Sequence, residues 1–302
     1  MRSSRTFIAL VTAAGIALGG SSAAAQSPSY NDALLTRVRA AARAIPGDLP
    51  REIRYLKFAE TRLKLGALLQ DGGDQLVVAA FPVFQVRYSR TWIMIDAGMN
   101  RDVDTTLTFW PDRFARVQRG LRGAALILVT HEHHDHVAEA LRSVTPEIVA
   151  PKTLLTRAQV QTLVERPDPP LAKLAPGRSA DYLVFDYDVL YPVAPGVVLI
   201  KAPGHTPGSQ MVYVRLASGR EALFIGDITW MMAGVERRLQ KPEEVSREVN
   251  EDRAALQQQI DWLSGLTARQ GIVIITCHDD AWLQSLARRG LLRNDLDLAP
   301  QH

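Results

Sequence analysis

From residue 75 onward, short apolar runs alternate with polar, glycine-bearing turns. Residues 75–80, 84–88 and 92–95 read as strands, the last ending in Asp96-Ala97-Gly98. Residues 111–121 have helical spacing. Residues 124–129 form a compact Ala/Leu/Ile/Val run, the pattern of a buried strand, and a helix is expected from near His136 through Arg142. The second half repeats this order. A strand at 197–201 runs into the loop 202–209, and strands at 210–216 and 222–225 pair around Ser218-Gly219-Arg220. Residues 242–265 are rich in helix formers. A last buried strand at 271–276 precedes a helix at 281–289. Residues 27–69 look helical, with breaks at Pro46 and Pro50, and 165–174 is a proline-rich surface loop. Strands in both halves, with helices between and after them, predict two sheets sandwiched by helices.

The first 25 residues follow a different rule. Arg2 and Arg5 precede an apolar run from Phe7 to about Gly20, and Ala23-Ala24-Ala25 offers a small-residue cleavage site. About 14 apolar residues are too few for a bilayer that needs roughly 20, so a removed signal peptide is expected rather than an anchor. The two arginines are not adjacent, so no twin-arginine signal is read. The mature chain is therefore expected to be exported, periplasmic or secreted, with no stable membrane insertion. Removing Arg2 and Arg5 lowers the formal net charge of +3 by two, which leaves no electrostatic case for nucleic acid. A single cysteine, Cys277, excludes an internal disulfide. The organisation read from the chain is a signal peptide at 1–25, a helical or extended segment at 26–74 and one catalytic domain at 75–302.

Candidate chemistry is concentrated in residues 130–136, Thr-His-Glu-His-His-Asp-His, which hold four of the seven histidines. Imidazole and carboxylate are the ligands a borderline cation such as zinc prefers. His131 and His133 are two apart at a strand end, where alternate residues point the same way. Asp135 and His136 follow where the chain turns into a helix, so they can address a second centre. A solvated, histidine-rich loop would share this composition. Three further positions argue against that reading. His205 lies in a Pro/Gly loop after a buried strand, Asp227 at the end of Leu223-Phe224-Ile225-Gly226, and His278 just after the last strand. Each stands where a strand emerges, the usual place for a site in α/β folds.

This ordered set resembles the metallo-β-lactamase-fold hydrolase superfamily over residues 75–286. His131-x-His133-x-Asp135-His136 matches its HxHxDH motif, and His205, Gly226-Asp227 and His278 match the later ligands in order. The resemblance implies an αββα sandwich of two mixed β-sheets flanked by helices, with a metal cleft between the sheets. It also implies two divalent metal ions, with zinc expected. His131, His133 and His205 would hold one ion; Asp135, His136 and His278 the other; Asp227 would bridge them. A hydroxide shared by ions about 4 Å apart would be the nucleophile, with Asp135 orienting it or carrying its proton. Asp96, before Ala97-Gly98, would be a supporting carboxylate behind the ligands.

Departures within the superfamily bear on substrate. Asp227 separates the chain from the true β-lactamases, which carry Cys or Ser there. The lactonases of the family carry Tyr three residues after the bridging Asp, where this chain has Trp230. Indole donates from its N–H but does not mimic a phenol, so Trp230 is expected as an apolar wall of the cleft with Met231 and Met232. The expected function is hydrolysis of an ester, lactone or amide bond in a small molecule. The alternatives are β-lactamase activity, a mononuclear iron dioxygenase of the same fold, and a non-catalytic binding protein. Cys277 is expected as a small buried residue closing a strand, and Asp279 and Asp280 as caps of the last helix.

Overall fold

The computed structural model describes residues 28–167 and 172–299. The expected signal segment at 1–25, part of the 165–174 loop and His302 lie outside the described residues.

In chain order the elements are α1 (Asp32–Ala41), β1 (Glu52–Lys64), β2 (Leu76–Arg87), β3 (Trp92–Ile95), β4 (Thr108–Phe109), α2 (Pro111–Gly123), β5 (Leu126–Leu128) and α3 (His134–Arg142). Next come α4 (Pro146–Val149), β6 (Thr153–Thr156), α5 (Arg157–Glu165), β7 (Leu183–Phe185), β8 (Leu190–Ala194) and β9 (Val197–Lys201). The chain continues through β10 (Gln210–Arg215), β11 (Glu221–Phe224), α6 (Met232–Arg237), α7 (Glu243–Glu248) and α8 (Arg253–Gln270). It ends with β12 (Val273–Ile275), α9 (Asp280–Arg288) and β13 (Arg293–Asn294). One sheet has the order β13-β1-β2-β3-β5-β6-β7, with β4 added beside β1; the other runs β12-β11-β10-β9-β8. Both are mixed: β1, β2 and β3 pair antiparallel, and β3, β5, β6 and β7 run parallel. In the second sheet, β12 is parallel to β11 and the remaining pairs are antiparallel.

Period-two alternation decides which residues meet. Val197 and Leu199 of β9 face inward, packing with Val212, Val214 and Phe224 against Phe84, Val86, Ile93 and Ile95 of the first sheet. Val198 and Ile200, one residue off, face outward onto Leu34, Leu35 and Val38 of α1 and Leu256, Ile260 and Leu263 of α8. On the far side of the first sheet, Met94 and Ile127 are covered by Phe114, Val117 and Leu121 of α2. The layers are thus helix, sheet, sheet, helix, the αββα sandwich expected from the sequence.

One expectation is corrected. Residues 52–64 were expected within a helical stretch, but they form β1, paired with β2 from Glu52↔Arg87 to Lys64↔Leu76. Ile53 and Tyr55 enter the inter-sheet core, whereas Leu56 and Phe58 face α2. A register shift between Lys57 and Ala59 breaks the alternation, and the interspersed charges imitate a solvated helix. The sheet therefore begins upstream of Gln75. Two smaller differences follow from pairing and capping. Residues 75–80 and 84–88 belong to one continuous strand, β2. The helical stretch at 242–265 divides into α7 and α8, with Asp252 capping α8 by accepting from Ala255 N at 3.0 Å.

Candidate metal centre

Every residue singled out for metal comes together at one end of the sandwich, on the segments that leave the strands. After β3 the chain turns at Asp96, whose φ of 62° lies in the left-handed region. Asp tolerates that region better than most residues, and here its side chain is held from a distant segment: Asp96 Oδ1 accepts from Thr130 N at 2.7 Å and Oδ2 from Thr130 Oγ1 at 3.0 Å. The Asp96 turn is thereby fastened to the start of the histidine motif. Gly98, at φ 73°, follows; a Cβ there would lie 2.8 Å from the Phe58 ring. His131 and His133 leave β5, and Asp135 and His136 lie in the first turn of α3. His205 sits in the loop after β9, Asp227 follows β11, and His278 follows β12.

Two triads form. His131, His133 and His205 have ligand atoms within 4.8 Å of one another, and so do Asp135, His136 and His278. Asp227 stands between them. Its Oδ2 lies 3.5 Å from His205 Nε2 and 3.7 Å from His131 Nε2. Its Oδ1 lies 3.5 Å from His136 Nε2 and 3.3 Å from His278 Nε2. Asp135 Oδ2 is 3.3 Å from His136 Nε2 and 3.4 Å from His278 Nε2.

The imidazoles are held from behind, which turns Nε2 into the cleft. His136 Nδ1 pairs with Asp96 Oδ2 at 2.8 Å, His278 Nδ1 with the carbonyl of Ala80 at 2.8 Å, and His205 Nδ1 with Glu251 Oε1 at 2.6 Å. His131 Nδ1 lies 3.2 Å from Thr130 Oγ1. The inward atoms His131 Nε2, His136 Nε2, His205 Nε2 and Asp227 Oδ1 are buried with no hydrogen-bond partner. Four orphaned polar atoms around one point cost several kcal/mol unless something accepts their lone pairs, and a divalent cation does so. The donor set, imidazole and carboxylate, suits zinc.

Burial would lower His136 and His278, but Asp135, Asp96 and Asp227 around the first and Asp227 and Asp135 beside the second hold both above the ordinary imidazole value. Burial alone would raise the Asp227 carboxyl, but His278, His136 and His131 around it hold it well below the ordinary carboxylate range. Asp135 is held low in the same way by His136 and its other histidine neighbours. Burial, reinforced by the neighbouring His136, pushes His131 well below its ordinary value, which keeps it neutral and able to donate a lone pair. Asp96, His136 and Cys277 also lie close together. That group does not suit a cation: Asp96 is engaged with His136 Nδ1, and burial together with the carboxylates raises the Cys277 thiol well above its ordinary value. Cys277 is the buried strand-end residue the sequence suggested.

Trp230 departs from its expected role as an apolar wall. Its indole N–H donates to Asp227 Oδ2 at 2.7 Å. Three charged residues were not singled out in the sequence. Glu132, inside the motif, accepts from Thr206 Oγ1 at 2.7 Å and from Gly208 N at 3.1 Å, tying the motif to the His205 loop. Glu251 backs His205 and pairs with Lys241. Burial opposes ionisation of Glu251, yet His205 and Lys241 outweigh it and hold the carboxyl at about 2. A cleft of about 640 Å³ opens beside His133, lined by Thr162, Arg166, Pro203, Val249 and Asn250 among others.

A family model for the beta-lactamase superfamily domain matches residues 91–255, more than half of the sequence, and the chain belongs to that family. Among solved structures, a quorum-quenching N-acyl homoserine lactone lactonase superposes with a TM-score of 0.62 at 15% identity, covering 78% of this chain and 95% of that one. An N-acyl homoserine lactone hydrolase with N-hexanoyl-L-homoserine bound at its catalytic metal centre gives a TM-score of 0.61 at 14% identity, covering 78% and 96%. A dizinc quorum-quenching lactonase gives 0.51 at 14%, covering 77% and 92%. These likenesses establish the fold. No curated protein sequence matches significantly.

Proposed function

We propose that the chain is a metal-dependent hydrolase with a binuclear centre, zinc being the expected metal, that cleaves an ester, lactone or amide bond of a small molecule. The observation that carries this reading is Asp227, whose Oδ2 faces His131 and His205 and whose Oδ1 faces His136, while both oxygens lie 3.3 Å from His278 Nε2. In this reading His131, His133 and His205 hold one cation, Asp135, His136 and His278 the other, and Asp227 spans both. When bound, two such cations acidify the water they share and polarise the substrate oxygen.

The remaining work falls to the chain's own groups. Asp135, whose Oδ2 lies 3.4 Å from His278 Nε2, is placed to orient the attacking water or carry its proton towards a leaving group. The Trp230 N–H supplies one fixed donor at the bridging carboxylate. The ring of Phe81 packs edge-on against that of His278, with centroids 5.1 Å apart. A cleft of about 640 Å³ is of the size that takes small molecules rather than folded chains. The homoserine-lactone neighbours supply the bond class, and Trp230 marks a different contact at the place where lactonases carry Tyr. We also place the mature chain outside the cytoplasm, on the order of basic, apolar and small residues in 1–25.

The test is turnover by zinc-loaded mature protein across a panel of esters, lactones, amides, β-lactams and phosphodiesters. Hydrolysis of an ester, lactone or amide is expected. Inertness across the panel contradicts the proposal, and one iron per chain with oxygen uptake on sulfur substrates would favour the dioxygenase alternative.

A further inference from the structure

Behind His205, on the Nδ1 side of its ring, lies a second group of buried charges. The Glu251 side chain is fully buried, and its Oε1 lies 2.6 Å from His205 Nδ1 and 2.7 Å from Lys241 Nζ. Its Oε2 accepts from Ser246 Oγ at 2.6 Å, and Ser246 Oγ accepts from Arg253 at 2.6 Å. Lys241, 1% exposed, also donates to the backbone carbonyl of Asp227 and lies 5.0 Å from the centre of the Trp230 indole. The placement is built by the backbone: Asp252 N donates to Gly204 O at 2.8 Å, which docks the start of α8 on the His205 loop and sets Glu251 behind the imidazole.

A buried lysine–glutamate pair is a poor device for stability alone, because desolvating both charges offsets their attraction. This pair, however, touches one ligand-bearing loop at each end. A carboxylate on the outer nitrogen fixes the tautomer and ring angle of a metal-binding histidine and strengthens its inner nitrogen as a donor. An ammonium on the Asp227 carbonyl fixes the main chain from which the bridging carboxylate projects.

We propose that Glu251 and Lys241 are positioning residues of the metal centre: Glu251 holds His205 with Nδ1 protonated and Nε2 turned inward, and Lys241 ties that carboxylate to the Asp227 main chain. The inference rests on the binuclear reading above. It predicts that the pair sets the affinity of the His131/His133/His205 site and leaves the Asp135/His136/His278 site largely unaffected.

The experiment uses the full mature chain, stripped of metal, as wild type, Glu251→Gln and the double variant Lys241→Met/Glu251→Gln. Zinc affinity is measured at both sites by chelator competition, the absorption spectrum of the cobalt(II)-loaded protein is recorded, and the melting temperature of each metal-free form is taken. Glu251→Gln keeps the shape and should weaken one of two zinc sites about 10- to 100-fold and shift the cobalt spectrum. The double variant removes both charges together; it should melt near wild type without metal and still show the weakened site. Two zinc ions bound with wild-type affinity and an unchanged cobalt spectrum in a folded double variant would overturn the proposal. Weakening of both sites in proportion to a lowered metal-free melting temperature would also overturn it, as a merely structural role. A wild-type chain that takes no zinc removes the binuclear reading itself, a different failure.

Discussion

Trp230 Nε1 donates to Asp227 Oδ2 at 2.7 Å, and that same oxygen lies 3.5 Å from His205 Nε2 and 3.3 Å from His278 Nε2. The indole therefore adjusts the one carboxylate that both triads share. Lys241, 5.0 Å from the centre of the ring, holds the indole by cation–π attraction and so aids its aim. Trp230→Phe keeps an aromatic wall but removes the donor. A hydrogen bond to a charged group contributes about 1.5–3 kcal/mol, so kcat/KM should fall about 10- to 100-fold with metal content unchanged. Steady-state kinetics beside metal analysis checks this. Unchanged kinetics would mean the indole is only a wall.

Gly208 lies in the loop that carries His205, wedged against Gln159 and Glu132. A Cβ there would lie 2.3 Å from Gln159 Cγ, 2.5 Å from Glu132 Oε2 and 2.9 Å from Gln159 N. Gly208→Ala should therefore cost about 1–3 kcal/mol by overpacking, and more if the Glu132 hydrogen bonds are lost as well. It should also weaken zinc binding. Denaturant unfolding of the metal-free protein, with zinc titration, reads both effects.

Glu139, on α3 three residues beyond His136, is 1% exposed and accepts from Asn100 Nδ2 at 2.9 Å and Gln118 Nε2 at 3.0 Å. Burial raises its carboxyl to about 7 in the folded chain, against 4.5 as the ordinary value. The folded form then binds the proton more tightly than the unfolded form. Stability from this group is full below about pH 4.5 and is lost as pH rises towards 7. Comparing pH 5 with pH 7.5, Glu139→Gln should remove about 2 kcal/mol of that decline, although one amide then faces a donor. Equilibrium unfolding of both proteins across this range is the measurement; parallel pH curves would contradict it.

Much of the centre was legible because it is local. His131, His133, Asp135 and His136 fall within six residues, and Asp227 and His278 follow recognisable buried strands. Strand ends are easy to find when the strands are short, apolar and buried on both faces, as β5 and β12 are. Glu251 was not legible. Its partner His205 lies 46 residues away, and it sits in a charged stretch whose other acids, such as Glu243 and Glu244, face solvent. Lys241 was hidden for the same reason, since lysine is almost always exposed and only tertiary packing shows otherwise. β1 was misread because Arg54, Lys57, Glu60 and Arg62 dilute its apolar positions and the register shift destroys the period on which a strand reading depends.

The central claim is that Asp227 bridges two cations, and metal content tests it most directly. Inductively coupled plasma mass spectrometry on zinc-reconstituted mature protein should give two zinc ions per chain. Asp227→Ala should retain about one and lose hydrolytic activity, because each triad loses the carboxylate they share and two neighbouring cations lose the anion that offsets their repulsion. Two ions in both proteins, or one in the wild type, would contradict the bridging role.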